Sequence, residues 1–251
     1  MADVTLTYKG NTIAEMSDTG TKTLKTAGKY CEGDIGVNYV KPSSGGTSND
    51  LAIKMITREG IITELPSDIT KIGHGAFYNC DNLKLTSLPE GITSIEDNAF
   101  ALCYNLALTS LPSTVTSIGN NVFAYCSNLS LTSLPSGITR IEADTFAYCS
   151  NLSLTSLPSS VTTINSFAFN NCLSLALTYL PSSLNSISTH AFYNCTGLTT
   201  LTFKGTPSSI ASNAFNGCTN LTTINVPWAE GAVANAPWGA ENATINYNYT
   251  E

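Results

Sequence analysis

Residues 106–128 read LALTSLPSTVTSIGNNVFAYCSN, and this stretch of 23 residues recurs along most of the 251-residue chain. Four of its columns keep one residue type in seven copies, always 23 residues apart: Ile72, Ile95, Ile118, Ile141, Ile164, Ile187, Ile210; Phe77, Phe100, Phe123, Phe146, Phe169, Phe192, Phe215; Cys80, Cys103, Cys126, Cys149, Cys172, Cys195, Cys218; and Leu83, Leu106, Leu129, Leu152, Leu175, Leu198, Leu221. A unit this short cannot bury its apolar side chains alone, whereas stacked copies bury them against one another. The repeat therefore predicts a solenoid.

Within one copy, the residue pattern predicts three segments. The motif LTSLP reads as a short strand that ends at proline, because proline has no N–H for a further ladder bond. Residues 115–118 alternate apolar and polar side chains, which favours a short second strand. Residues 121–126 read as a short helical turn that places Phe123 and Cys126 on one face. The predicted fold class is a solenoid of parallel β-sheet coils with short second strands and short helical turns.

These copies resemble the BspA-like leucine-rich repeat family. The unit of that family runs roughly L-x-x-I-x-I-P-x-x-V-x-x-I-x-x-x-A-F-x-x-C, and the later copies follow it, with Leu198, Leu201 and Phe203 before Ala214 and Phe215. Earlier copies place two strand leucines three residues apart instead of two, which predicts a bulge or bend in the strand. The resemblance implies a leucine-rich-repeat solenoid and says little about what the protein binds.

Charge divides the chain into regions. Seven of the 11 basic and seven of the 18 acidic residues lie in residues 1–60, so the net charge of −7 belongs to the remainder. We expect a small β module at 1–40, a flexible linker at 41–50, a solenoid with an N-terminal capping strand at 51–226 and a C-terminal cap at 227–251. The two tryptophans, Trp228 and Trp238, are expected to cover the last coil, with a tryptophan-lined ligand site as the alternative.

The first module carries its own expectations. Forty residues rarely sustain a core alone, so we expect residues 1–40 to dock on a partner or to form a homo-oligomer. Tyr8–Lys9–Gly10–Asn11–Thr12–Ile13–Ala14, with the later Ala27–Gly28–Lys29 and Gly33–Asp34–Ile35, resembles N-terminal β modules of phage and prophage proteins of gut Firmicutes. That resemblance implies a virion or surface-display context.

The cysteine column poses a choice between chemistry and packing. A zinc site needs four ligands that converge on one point, whereas one cysteine per coil gives a line of thiols. Disulfides between neighbouring coils satisfy the distance rule, but seven cysteines cannot all pair. We therefore predict a structural ladder of buried thiols beside the phenylalanines. For Cys31, outside the ladder, the sequence leaves two alternatives, a free thiol or an intermolecular link.

Aromatic side chains at repeated positions are the candidate binding surface. It consists of Tyr78, Leu102, Tyr125, Tyr148, Tyr179 and Tyr193. These residues occupy different positions in the repeat. Tyr179 replaces the second residue of a recurring Thr-Ser pair in the strand, whereas Tyr193 lies in the turn, two residues before the cysteine. Stacked tyrosines suit recognition of a protein or a glycan, and they suit edge packing equally well.

Several function classes are not expected. A net charge of −7 with 11 Lys and Arg offers no basic face for nucleic acid. No apolar run approaches 18 residues, so we expect no membrane insertion, and no signal peptide is visible at the start. The only histidines are His74 and His190, and neither lies at a meaningful spacing from a nucleophile and a carboxylate. We predict no enzyme, no metal and no cofactor.

The sequence favours a binding or adhesion protein that presents a rigid repeat surface to a protein or glycan. The alternative is a structural or assembly component of a phage or prophage particle. Both readings predict an extracellular, cell-surface or virion location.

Overall fold

The computed structural model describes residues 4–8, 11–16, 20–25, 34–40, 52–57, 65, 70–80 and 83–250. The predicted solenoid of parallel strands is confirmed, with about eight turns. The predicted linker at 41–50 lies outside the described residues, and so does Cys31.

Sixteen strands are described, most of them two or three residues long. They are β1 Val4–Tyr8, β2 Asn11–Met16, β3 Gly20–Lys25, β4 Asp34–Val40, β5 Ala52–Thr57, β6 Lys71–Ile72, β7 Ser94–Ile95, β8 Ser117–Ile118, β9 Arg140–Ile141, β10 Thr163–Ile164, β11 Tyr179–Leu180, β12 Ser186–Ile187, β13 Thr200–Phe203, β14 Ser209–Ile210, β15 Thr223–Asn225 and β16 Thr244–Asn246. Their sheet orders are β1-β2, β3-β4-β5-β6-β7-β8, β9-β10-β12-β14 and β11-β13-β15-β16.

The isoleucine column forms the second strand of each coil. Ile72 pairs with Ile95 and Ile95 with Ile118, in parallel and in register. The same register joins Ile141, Ile164, Ile187 and Ile210 in the next sheet. Since parallel strands lie about 4.8 Å apart, each isoleucine packs between its copies in the neighbouring coils.

The LTSLP stretch forms strands only towards the C-terminal end. There, Leu201 and Phe203 alternate with outward residues along β13, and the buried and exposed faces follow that alternation. In the earlier coils, Leu85 and Leu88 are both buried although three residues separate them. Such spacing bends the backbone out of a regular ladder, which is the physical reason why the described residues of those coils form no strand at LTSLP.

The predicted short helical turn is replaced by successive hydrogen-bonded turns, and no helix occurs among the described residues. In the first coil, the N–H of Cys80 donates to the Phe77 carbonyl at 3.2 Å, closing a turn. The N–H groups of Phe77 and Asn79 instead donate to the carbonyls of Ala99 and Ala101 in the next coil, at 2.7 and 2.8 Å. In a helix, these N–H groups would donate to carbonyls of the same segment. The turns leave them free to join neighbouring coils.

The phenylalanine column is the centre of the core. Neighbouring rings are stacked with centroids 5.0–5.6 Å apart and planes within 11°. All seven rings are buried, together with the isoleucines, cysteines and leucines of the repeat. Offset stacks of this kind add favourable energy beyond burial alone. The core is therefore one continuous column along the solenoid.

The C-terminal residues supply part of a further coil. The Trp238 carbonyl accepts the Phe215 N–H at 2.9 Å, the role that Ala214 fills for Phe192 one coil earlier. β16 extends the sheet by pairing with β15. Trp238 is fully buried, and its ring lies 6.3 Å from that of Trp228. The tryptophans thus close the end of the core instead of lining an open ligand site.

At the N-terminal end, strand pairing continues the solenoid sheet. β5, at the position expected for a capping strand, pairs in parallel with β6. On its other side β5 pairs antiparallel with β4, and β4 with β3. The sheet of the first coils therefore ends in an antiparallel hairpin.

Close approach between coils explains one glycine and gives a testable prediction. A Cβ added at Gly197 would lie 2.5 Å from the Leu175 carbonyl oxygen and 2.8 Å from that of Leu173. Because both oxygens belong to the backbone of the preceding coil, Gly197→Ala is expected to lower the free energy of unfolding by about 1–3 kcal/mol in urea titrations. Gly231→Ala is the control, since its Cβ would meet nothing within 4 Å and only its positive φ opposes the change. Equal, small losses in both variants would contradict this account.

Candidate functional site

The seven ladder cysteines are buried free thiols, each in line with its copy one coil away. From the second coil onward, each thiol donates to the phenylalanine carbonyl of the preceding coil. Cys103 Sγ lies 2.9 Å from the Phe77 oxygen, and Cys149 Sγ lies 3.0 Å from the Phe123 oxygen. The remaining contacts of this kind span 2.9–3.1 Å. The thiols therefore act as hydrogen-bond donors as well as small apolar groups.

Burial also makes these thiols poor nucleophiles. It raises the pKa of Cys218 to about 12, and it raises the pKa values of Cys126, Cys149, Cys172 and Cys195 well above the ordinary value. A thiol reacts as its thiolate, so a raised pKa and a buried sulfur both suppress reaction. The ladder is built for structure and offers no reactive sulfur.

We expect the ladder thiols to resist alkylation in the folded protein. Iodoacetamide at pH 8, followed by peptide mass mapping of each cysteine, should leave the ladder thiols unmodified and label all seven in guanidinium. The physical reason is that labelling has to wait for local opening. Rapid native labelling of Cys126 or Cys149 would contradict the buried ladder.

The structure distributes the candidate aromatic residues over three places. Tyr78 and Tyr193 are exposed two residues before their cysteines, but five coils separate them. Tyr179 lies on β11, on the strand side of the coil. Leu102, Tyr125 and Tyr148 precede their cysteines by one residue in three consecutive coils. The six residues therefore do not form a single surface.

The three consecutive residues form a column on the turn side. The rings of Tyr125 and Tyr148 are stacked with centroids 4.4 Å apart and planes within 6°. Leu102, Tyr125 and Tyr148 have φ values of 64°, 63° and 61°, in the left-handed region. This position closes a turn, where asparagine or glycine fits best and other coils carry Asn79 and Asn194. The pKa of Tyr125 is raised mainly by desolvation, and the neighbouring Tyr148 raises it further.

The residue before each member of this column is small. Ala101, Ala124 and Ala147 form a separate cluster, exposed by 4% or less. Where tyrosine instead occupies that earlier position, asparagine follows it, as in Tyr78–Asn79 and Tyr193–Asn194. Large side chains at one position thus compensate for small ones at the other, a pattern that favours edge packing for the Leu102–Tyr125–Tyr148 column.

A groove on the strand side is a different kind of surface. Its volume is about 470 Å³. Tyr179 and Tyr249 line it and are 37% and 38% exposed, and Lys204 lies with its Nζ 5.7 Å from the centroid of the Tyr179 ring. Thr202 and Asn225 complete its polar part. The groove has the size of a small-molecule site and combines aromatic with hydrogen-bonding side chains.

Strand register explains how these residues meet. Tyr179 pairs with Thr202, and Thr202 pairs with Asn225, so three successive coils place them side by side. Asn225 Nδ2 donates to Thr202 Oγ1 at 3.1 Å, and Asn246 Nδ2 donates to Asn225 Oδ1 at 2.8 Å. These bonds fix the polar side chains before any ligand arrives.

Sequence reasoning singled out Tyr179 and missed Lys204, Asn225 and Tyr249. A signal for Asn225 existed in the 23-residue register, since it lies two full periods, 46 residues, after Tyr179, whereas Lys204 lies 25 residues after it and outside that register. Tyr249 belongs to the C-terminal segment, where the repeat has faded, so its place in the groove needed the structure.

Metal sites and membrane-spanning helices are two further features that a chain of this kind could carry. Among the described residues, no three His, Cys, Asp or Glu side chains gather where they would hold a metal ion. No helix within the described part of the chain has the length and apolar character to cross a membrane.

Comparisons with known proteins give one family. A family model described as BspA type leucine rich repeat region matches residues 61–176 and 139–230, in six copies. No curated protein matches the chain significantly.

Solved structures of leucine-rich repeat proteins resemble the chain. The leucine-rich repeat protein of T. pallidum is 29% identical with a TM-score of 0.58, over 74% of this chain and 87% of that one. A leucine-rich cell surface protein of Faecalibacterium prausnitzii A2-165 is 26% identical with a TM-score of 0.52, over 65% of this chain and 54% of that one. A protein of Eubacterium ventriosum ATCC 27560 has the same identity and TM-score, over 72% and 50% of the two chains. The chain thus spans about half the length of the last two.

Proposed function

This chain belongs to the BspA-type leucine-rich repeat family, and from that premise we propose that it is a non-catalytic binding protein whose solenoid presents a rigid surface to a partner outside the cell. The observation that carries the proposal is the groove beside Tyr179, a preformed recess with aromatic and polar walls on a continuous core. Fixed coils lower the conformational cost of binding, because little has to be ordered when the partner arrives.

The placement of reactive side chains supports a non-catalytic role. The thiols are buried and engaged with backbone carbonyls. His74 lies at the first coil and His190 five coils later, where it stacks against Phe167 with ring centroids 5.1 Å apart. Nucleophile, base and orienting group have to lie within hydrogen-bond reach of one another in covalent catalysis. In the described coils, six of the ladder thiols instead donate to backbone carbonyls, and His190 packs against Phe167.

A cell-surface location is part of the proposal. The F. prausnitzii neighbour is described as a cell surface protein, and this chain resembles about half of it. The described coils also expose many hydroxyl and amide side chains and few charges, which suits contact with neutral surfaces more than electrostatic steering.

The test is saturable binding to cells. Fluorescently labelled full-length protein is titrated onto a panel of intact bacteria and cultured animal cells, and bound fluorescence is measured by flow cytometry. We expect saturation on at least one cell type and displacement by excess unlabelled protein. Binding that never saturates, or that unlabelled protein does not displace, would contradict a specific binding function.

Self-association through residues 1–40 belongs to the same proposal, since it would present several solenoids together and raise avidity. Light scattering of the full chain should give a multiple of 26.5 kDa. A mass of one chain at micromolar concentration would leave residues 1–40 as a docking segment for another protein.

A further inference from the structure

We infer that the groove between Tyr179 and Tyr249 binds a carbohydrate chain. The inference rests on the proposed binding function and names its site and its class of ligand. The lining side chains that carry it are Tyr179, Thr202, Lys204, Asn225 and Tyr249.

Tyr179 and Tyr249 form the aromatic walls of the groove. The residue at the position of Tyr179 is serine in the four preceding coils: Ser87, Ser110, Ser133 and Ser156. A tyrosine at this outward position adds a large, partly apolar ring that the core does not require. Tyr249 approaches from the C-terminal segment, where its N–H donates to the Val226 carbonyl at 2.9 Å. Two tyrosines from distant parts of the chain thus face one recess.

Thr202 and Asn225 form the polar floor of the groove. Thr202 Oγ1 accepts a hydrogen bond from Asn225 and retains its own proton for donation. Asn225 is 7% exposed, and Asn246 donates to its Oδ1, so its orientation is fixed. The floor therefore presents an ordered row of hydroxyl and amide groups, each of which both donates and accepts.

The combination matches a sugar ring. A pyranose has an apolar C–H face, which packs on tyrosine, and a rim of hydroxyls, which bond to hydroxyl and amide groups. The Thr202 hydroxyl keeps its proton for donation, so the floor favours a ligand whose hydroxyls can accept it. Lys204, near the Tyr179 ring, places one cationic group at the same recess.

A peptide fits the same recess less well. Peptides that bind sheets add a strand at an unpaired edge. Here β13 pairs with β11 and β15, and β15 pairs with β13 and β16, so these two floor strands offer no free edge. β11 ends the sheet, but beside it the Thr178 N–H donates to the Thr155 carbonyl of the preceding coil at 3.4 Å. A protein partner also needs about 800 Å² of contact on each side, far more than this recess offers by itself.

The test begins with an oligosaccharide array that contains glucans, mannans, N-acetylglucosamine oligomers, and sialylated and uronic-acid chains. Full-length protein is applied to the array, and the strongest sugar is then titrated by calorimetry. Tyr179→Ser restores the residue of the earlier coils and should weaken that binding at least tenfold. The matched control is Tyr125→Asn, which places an asparagine at the position of Asn79 and Asn194 and should leave the affinity unchanged. A cooperative thermal unfolding transition well above the assay temperature in each variant establishes that both are folded.

Each outcome has a defined meaning. Absence of binding to any sugar, or equal affinity of Tyr179→Ser and the unaltered protein, would overturn the carbohydrate site. If the protein still binds cells in a saturable way, and periodate treatment of the cells leaves binding intact while protease abolishes it, the partner is a protein. The binding function then stands and the groove inference fails. If neither cells nor sugars bind, the proposed function itself fails.

Discussion

Raising the pH above about 9 should unfold the solenoid steeply. Folding raises the pKa values of the thiols Cys126, Cys149, Cys172, Cys195 and Cys218, whereas an unfolded cysteine titrates near pH 8.5. When the pKa of a thiol is higher in the folded than in the unfolded protein, its contribution to the free energy of unfolding is fully present below the unfolded pKa. That contribution is lost as the pH rises above the unfolded pKa, because the unfolded chain then releases a proton that the folded chain keeps. The ladder is therefore stable at neutral pH and vulnerable in alkali.

The size of this effect follows from the number of thiols. Each one removes about 1.4 kcal/mol of stability per pH unit above its unfolded pKa, so five together remove about 7 kcal/mol per pH unit. A domain with a stability of 5–15 kcal/mol should then unfold within about two pH units. Urea midpoints measured by circular dichroism from pH 7 to pH 10.5, in the presence of a reductant, give the slope.

The control for the alkaline effect is Cys149→Ala. It lowers stability at neutral pH, because it removes the thiol bonded to the Phe123 carbonyl. It should also reduce the slope by about 1.4 kcal/mol per pH unit, which is one thiol's share. An unchanged slope in this variant would mean that groups other than the ladder thiols cause the alkaline loss.

Phe146→Ala should destabilise the protein by about 3–5 kcal/mol, the usual cost of removing a fully buried phenylalanine. Phe146 is fully buried, with ring centroids 5.6 Å from Phe123 and 5.5 Å from Phe169. The change opens a cavity and breaks two stacked pairs in the middle of the column. Because each coil contacts only its neighbours, the halves on either side should also unfold less cooperatively.

Equilibrium urea unfolding of Phe146→Ala measures both effects. The loss of stability lowers the urea midpoint, and the loss of cooperativity lowers the slope of the unfolding free energy against urea concentration. The comparison variant is Tyr148→Ala, two residues away in the same coil but 39% exposed. Its stacked pair with Tyr125 is worth about 0.5–1.5 kcal/mol, so a smaller loss is expected. Equal losses in the two variants would refute the phenylalanine column as the centre of the core.

The buried core residues of this protein could be predicted because the 23-residue repeat identifies them directly. A residue type that recurs every 23 positions marks a column, and columns such as those of Ile118, Phe123 and Cys126 are buried. The coil's hydrogen bonding was harder to foresee. In the turn at Phe123, backbone N–H groups donate to carbonyls of the next coil. Such bonds depend on the position of the neighbouring backbone, so the local sequence does not predict them.

The thiol contacts and the groove illustrate the same limit. Cys126 donates to a carbonyl 26 residues earlier, so its role depends on how coils stack. Tyr179 stands out in the sequence as a break in a serine column. Lys204 and Tyr249 acquire significance only when the structure places them beside it.

The most direct test of the binding account is a flow-cytometric titration of three labelled full-length proteins on the cell type that binds best: the unaltered chain, Tyr179→Ser and Tyr125→Asn. The account predicts saturable binding with equal midpoints for the unaltered chain and Tyr125→Asn, and a midpoint at least tenfold higher for Tyr179→Ser. Indistinguishable curves for all three proteins would contradict the groove as the binding site, and the absence of saturable binding by the unaltered chain would contradict the function.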